Sequence, residues 1–400
     1  MSRTVLTILA VALAAPASAQ NPTAQPPARG EIHFGPFTLQ PRLNIREAGI
    51  DSNIFNEAGD PQEDFTATII PRLDVLLDVS WARARYSTLA EFVYFHEFVD
   101  ERSINGGNEG RIEFLLDRFR PYVFGSIVNT RDRLNAEIDA RAQRRDWRVE
   151  AGTLVALTSR TSIVVAGRRG SLEFDEGEIF NGVPLAGALN NDYDAYEGGL
   201  RFELTPLTTL QVTSAYQRDR FDTASDRDTR TWRITPTLEF APSALISGRL
   251  AVGYTSFEPQ SPSIEPYRGL TAAGTLAWSL NTTRLEGTID RDVRYSYEVL
   301  QPYYLTTGGR LTVTQVITGP LDVQVVGGRQ RLEYRDVEPL DLDLGSRRTD
   351  TITTWGGGIG FRIGDTARLG FNYEDASRRS PRPERNFDRQ RIYGSLTYGF

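Results

Sequence analysis

Phe65–Leu77 reads FTATIIPRLDVLL. Phe65, Ala67, Ile69, Leu73, Val75 and Leu77 share one parity, while Arg72 and Asp74 lie on the other. An extended chain sends successive side chains to opposite faces. The segment therefore predicts a strand with one apolar and one polar face. The pattern recurs along the chain: Phe37, Leu39, Leu43 and Ile45; Tyr86, Ala90, Phe92, Tyr94 and Phe98; Trp147, Val149 and Ala151; Trp232, Ile234, Leu238 and Phe240; Trp355, Ile359, Phe361 and Ile363. Segments of about 9–14 residues are long enough to cross a bilayer as tilted strands, and exceed the roughly 5–6 residues usual in soluble sheets.

Connections alternate in length. Tight ones fall at Leu157–Thr161, Thr205–Thr208, Ala241–Ala244, Asn281–Thr283, Thr318–Pro320 and Gly364–Thr366. Longer polar stretches start at Glu47, Asp100, Asp175, Arg335 and Glu374. Hydrocarbon leaves no partner for an unpaired backbone N–H or C=O, so only helices or closed barrels can span it. Helical spacing is scarce here. The expected fold is therefore all-β: a transmembrane antiparallel up-and-down barrel of about 18 strands, with 16–18 as the range, tight turns at one end and long loops at the other.

The start, MSRTVLTILAVALAAPASAQ, has Arg3, an apolar run from Val5 to Ala15, and small residues at Ala17–Ala19. It predicts a signal peptide over residues 1–19, cleaved near Ala19. Residues 20–36 are expected to form a flexible periplasmic lead-in, and 37–400 the barrel.

Composition excludes several classes. The 400 residues hold no Cys, 2 His and 1 Met, with a net charge of -7. Disulfide frameworks and thiolate metal sites are ruled out, no metal site or cofactor is expected, and the acidic balance argues against nucleic acid. Every basic residue is Arg. A GC-rich genome explains that, as does a demand for guanidinium groups against carboxylates and phosphates. The acidic first loop (Glu47, Asp51, Glu57, Asp60, Glu63 and Asp64) reads chiefly as a solvated face. In TTWGGGIG, Gly356, Gly357, Gly358 and Gly360 suit a bend or bulge in a barrel wall.

The chain ends RIYGSLTYGF, with Leu396, Tyr398 and Phe400 on one parity. This resembles the C-terminal signature of bacterial outer-membrane barrels. The resemblance implies recognition by the barrel-insertion machinery, a Gram-negative outer membrane, and contact with outer-membrane lipids and lipopolysaccharide. FTLQPRLNIREAGIDSNIFN (Phe37–Asn56) is similar to the opening of the putative β-barrel porin type found with exopolysaccharide-secretion genes. That similarity implies polysaccharide as a partner.

Residues opposite the apolar parity are candidates to line the lumen: Arg72, Arg85, Glu91, Arg144, Arg148, Glu150, Arg201, Arg233, Arg284 and Arg294, with Asp74, Glu197, Glu239, Glu286 and Asp290 beside them. Sixteen to eighteen strands leave an aqueous channel, and Arg rings favour anions; mutual pairing of these charges without selectivity is the simpler reading. The expected function is a porin-like channel passing anionic saccharides or other small polar solutes. The alternative is a non-conducting barrel that binds surface polysaccharide or a periplasmic partner. An enzyme is not expected. A lipid hydrolase needs a Ser beside a His base, and no spacing ties His96 to Ser87 or Ser103.

Overall fold

A computed structural model describes residues 31–337 and 348–399. Nineteen strands pair in one sheet. Its first, β1 (Ile32–Phe34), is a short strand folded back on β2, at the end of the expected lead-in. The remaining eighteen form a closed antiparallel barrel. They begin with β2 (Phe37–Asp51), β3 (Asp64–Val79), β4 (Ala82–Phe95), β5 (Ser103–Phe114), β6 (Phe119–Arg133), β7 (Arg141–Ala156) and β8 (Thr161–Phe174). A loop carrying a small hairpin, β9 (Ile179–Phe180) and β10 (Val183–Pro184), and a one-turn helix, Leu185–Leu189, follows. The wall resumes with β11 (Asn191–Thr205), β12 (Thr208–Phe221), β13 (Thr229–Phe240), β14 (Ile246–Pro259), β15 (Tyr267–Leu280) and β16 (Thr283–Tyr295). It ends with β17 (Tyr303–Thr318), β18 (Leu321–Arg335), β19 (Thr349–Ile363), β20 (Ala367–Arg379) and β21 (Phe387–Tyr398). Closure comes from β21 pairing with β2, through Leu43↔Tyr398 and Ile45↔Leu396.

Eight connections at one end are two to five residues long, and nine at the other run from seven to sixteen. All six predicted tight turns are among the eight; the further two lie between Val79 and Ala82 and between Phe114 and Phe119. Gly319 (φ 49°), Gly364 (φ 60°) and Asn281 (φ 42°) take the left-handed backbone that such turns demand.

Two expected loops are largely strand. β5 starts at Ser103, so most of the stretch from Asp100 to Gly110 lies in the wall. β20 runs to Arg379 and β21 starts at Phe387, leaving only residues 380–386 as connection. The strands are 12–16 residues long, more than the about 9–11 needed to span. Their upper ends therefore rise past the apolar layer, where both faces are polar and alternation fades while the ladder hydrogen bonds continue.

Burial runs opposite to a soluble protein's. Ile234 is 57% exposed, Trp232 54% and Phe371 59%, whereas Asp74, Glu91 and Arg148 are buried. Tyr196, Tyr216 and Trp232 are register neighbours on the outer surface. Near the tight turns, Trp81, Phe114, Phe119, Trp278, Phe361 and Tyr398 are exposed. Two aromatic girdles thus bound an apolar belt, as a bilayer-spanning barrel requires. His96 lies just beyond β4 on the loop side and is exposed. The glycines of TTWGGGIG do not form a bulge: β19 pairs with β18 and β20 in unbroken register. They make room instead, since a side chain at Gly360 would strike the Arg368 guanidinium.

Candidate functional site

The inward face of the barrel is a mesh of charges. Arg72 donates to Asp74 (3.0 Å) and approaches Glu109 (3.6 Å). Arg46 pairs with Glu91, which also accepts from Asn105 (3.1 Å). Glu150 accepts from Arg168 (2.7 Å) and from the Tyr122 hydroxyl (2.8 Å). Arg144 is buried, bonded to the Asp132 carbonyl (2.5 Å) and 3.6 Å from Asp146. Arg148 lies over the Phe124 ring at 4.6 Å. Arg201 reaches Glu239 (3.3 Å), Arg233 reaches Asp292 (3.1 Å) and Arg294 lies 3.8 Å from Asp290. Arg284 is exposed near a tight turn, 3.4 Å from Glu286. Glu197 lies 4.0 Å from Arg168. Most of the predicted polar residues are therefore balanced by opposite charge.

Arg85 differs. On β4 it shares the parity of the buried Ser87 and Glu91, and it faces Arg111 of β5 directly across the ladder. Arg111 stacks on the Tyr122 ring at 3.7 Å. Neither guanidinium has an ion-pair partner among the described residues. Like charges directly opposite on neighbouring strands repel, and this pair stands apart from the balanced mesh around it.

At the loop end the mouth is occupied. The connection between β6 and β7, residues 134–140, crosses the lumen to the far wall. Ala136 packs with Tyr304, Leu332, Tyr334 and Ile352 on β17, β18 and β19. Arg378 on β20 donates to the Ala136 carbonyl (2.9 Å) and to Asp139 (3.3 Å), and pairs with Asp350. Arg385 adds a bond to Asp139 (3.2 Å) and one to the Glu137 carbonyl. Arg348 joins Asp350 (2.8 Å) and Glu298, and Arg382 reaches Glu298 (2.8 Å). Ile138 sits with Phe174, Phe180, Leu185, Leu189 and Tyr297 in a cluster drawn from three loops and the end of β8. Glu137 is fully buried and accepts from the Ser296 hydroxyl (2.5 Å). Burial pushes its carboxyl up to about 8.

Beneath this bridge a small cavity of about 110 Å³ lies against the wall of β2, β3, β4 and β21. Arg46, Asp51, Glu91, Asp139, Arg389 and Arg391 are among its lining residues. Arg389 donates to Asp51 (2.8 Å), and Arg391 pairs with Glu47 (2.9 Å) and Glu374. Asp51 is thus held by a guanidinium, and Asp64 accepts from the backbone N–H groups of His96 (3.2 Å) and Glu97 (3.0 Å). Two acids of the expected solvated first loop are structural. The sequence reading missed Arg46, Arg378, Arg389 and Arg391. The last three fall in or beside a stretch it treated as loop, and resumed pairing after Arg385 was the signal available. Ser103 accepts from Arg141 (2.6 Å), and His96 approaches the Tyr94 hydroxyl (3.3 Å); neither Ser87 nor Ser103 bonds to His96 among the described residues. Leu396 and Tyr398 are wall residues of β21, and Phe400 lies outside the described residues.

A family model described as "Putative beta-barrel porin 2" matches residues 27–400. No curated protein matches the chain in sequence. Among solved structures it is similar to Pseudomonas aeruginosa OccK2 (OpdF), at 10% identity and TM-score 0.51, covering 90% of this chain and 97% of that one. It is similar as well to a BenF-like porin from Pseudomonas fluorescens Pf-5, at 9% identity and TM-score 0.50, covering 90% and 99%. OccK2 in complex with glucuronate matches at 11% identity and TM-score 0.50, covering 90% and 98%.

Proposed function

The chain belongs to the putative beta-barrel porin 2 family, and from that premise we propose that it is an outer-membrane channel for small anionic solutes, with sugar acids as the class it suits. The Arg85–Arg111 pair carries this reading: two inward arginines oppose each other in the ladder, and neither has a carboxylate in ion-pair contact among the described residues. A passing carboxylate gains charge-assisted hydrogen bonds there, while the balanced mesh elsewhere holds the wall together. Leu396, Tyr398 and Phe400 serve as the signal read by the barrel-insertion machinery.

A potassium chloride gradient across a planar bilayer tests the proposal. The expected reversal potential has the sign of anion preference, and Arg85→Gln with Arg111→Gln moves it at least halfway to zero. Glucuronate at millimolar concentration is expected to interrupt the current more than glucose does. Cation preference, or a double variant identical to the parent, contradicts the reading.

A second reading has its own support. Loop residues Glu137 and Ile138 are 0% exposed within the mouth, which suits a barrel whose loops bind a surface glycan without conducting. A bilayer kept tight by correctly inserted protein would favour it.

A further inference from the structure

A second pair of like charges lies on the outside of the wall. Arg218 on β12 faces Arg230 on β13 directly across the ladder. Both are exposed, and neither has an ion-pair partner among the described residues. The same register row continues through Asp194 on β11 to Arg169 on β8, and on the other side to Glu258 on β14, which directly opposes Arg230. Both flanking acids are engaged elsewhere: Arg220 (2.5 Å) and Arg169 (3.9 Å) approach Asp194, and Glu258 accepts from Arg268 (3.0 Å) and the Ser256 hydroxyl (3.1 Å).

The height of this row gives it meaning. Two residues toward the tight turns on the same face runs the aromatic row Tyr196, Tyr216 and Trp232, with Tyr216 and Trp232 in ring contact at 5.1 Å. Such girdles sit at the level of lipid headgroups. Arg218 and Arg230 therefore project just beyond the apolar belt, on the loop side. Directly opposed residues hold their Cβ atoms about 4.5–5.5 Å apart, and like charges so placed are destabilising. A dianionic group between the two forks removes that repulsion, and the planar guanidinium matches phosphate with two parallel bonds.

We propose that Arg218 and Arg230 form a clamp for the phosphate of a membrane-lipid headgroup in the loop-side leaflet, with Trp232 and Tyr216 packing against the acyl chains below. Only outer-surface residues take part, so the clamp is independent of whether the lumen conducts.

Native mass spectrometry of the full-length barrel in detergent, titrated with lipid A, reads this directly. The probe carries phosphates above acyl chains, and its dephosphorylated form is the matched control. The expected result is retention of lipid A at least tenfold tighter than of the control. Arg218→Gln with Arg230→Gln is expected to remove most of that difference, while Arg145→Gln, an exposed arginine on β7, leaves it in place. Equal retention of the two lipids by the parent protein overturns the proposal without any variant. So does a folded double variant, shown by heat-modifiable gel migration, that keeps the parent's preference.

Discussion

Glu137 is an acid where a carboxylate is poorly served: fully buried, with one hydroxyl donor and no partner for its Oε2 among the described residues. The groups facing it include Ser296 and Glu298 from one loop, Arg227, Arg348 and Arg385 from three others, and Tyr304 and Tyr334 from the wall. Its raised value, about 8 against an ordinary 4.5, means that the docked bridge holds a proton which an undocked loop has released. Docking is therefore fully favoured below pH 4.5 and weakens as pH rises through 8. Amide exchange at residues 136–139 is expected to speed up between pH 5 and pH 9, beyond the intrinsic pH effect. Glu137→Gln should abolish that excess. Arg378 works in the opposite sense, as a buried cation shared by Asp139 and Asp350. Arg378→Met strands part of that negative charge and is expected to cost about 3–5 kcal/mol, read as a lower denaturation midpoint in detergent.

Each strand carries two environments one residue apart. Ile234 faces outward within the belt and Thr235 faces inward. Ile234 lies two residues inside the Trp232 girdle, so Ile234→Arg is expected to destabilise the folded barrel by about 1–3 kcal/mol, whereas Thr235→Arg should stay within about 0.5 kcal/mol. Urea titration in lipid vesicles compares the two. The same one-residue logic made much of the fold legible beforehand: parity at Phe65–Leu77 named the wall, and tight turns such as Thr205–Thr208 marked one end. It failed where the physics behind it stops. Above the girdle, Glu374–Arg379 is strand with no oil to sort its side chains, while within the belt Asn105, Gly106, Gly107, Asn108 and Gly110 carry no apolar parity although the ladder continues through them, so both read as loops. The bridge at 134–140 escaped notice because a seven-residue connection says nothing about the far wall it will meet. Arg378 and Arg391 became visible as partners only once pairing brought distant segments together.

The whole molecule encloses a charged interior within an apolar belt, closed by the β2–β21 seam. Closure satisfies every edge, which hydrocarbon demands, and eighteen strands give a width that side chains alone do not fill. The mouth is narrowed by the bridge of residues 134–140, held by Arg378 and Arg385. Shortening that bridge to a tight turn is expected to raise conductance while leaving the folded, heat-modifiable form intact on gels, since no wall strand depends on it for pairing. Stepwise current after the purified protein is added to a planar bilayer tests the central claim most directly. The account predicts discrete, uniform conductance steps with anion preference; a bilayer that stays tight while folded barrel is shown to be inserted would contradict it.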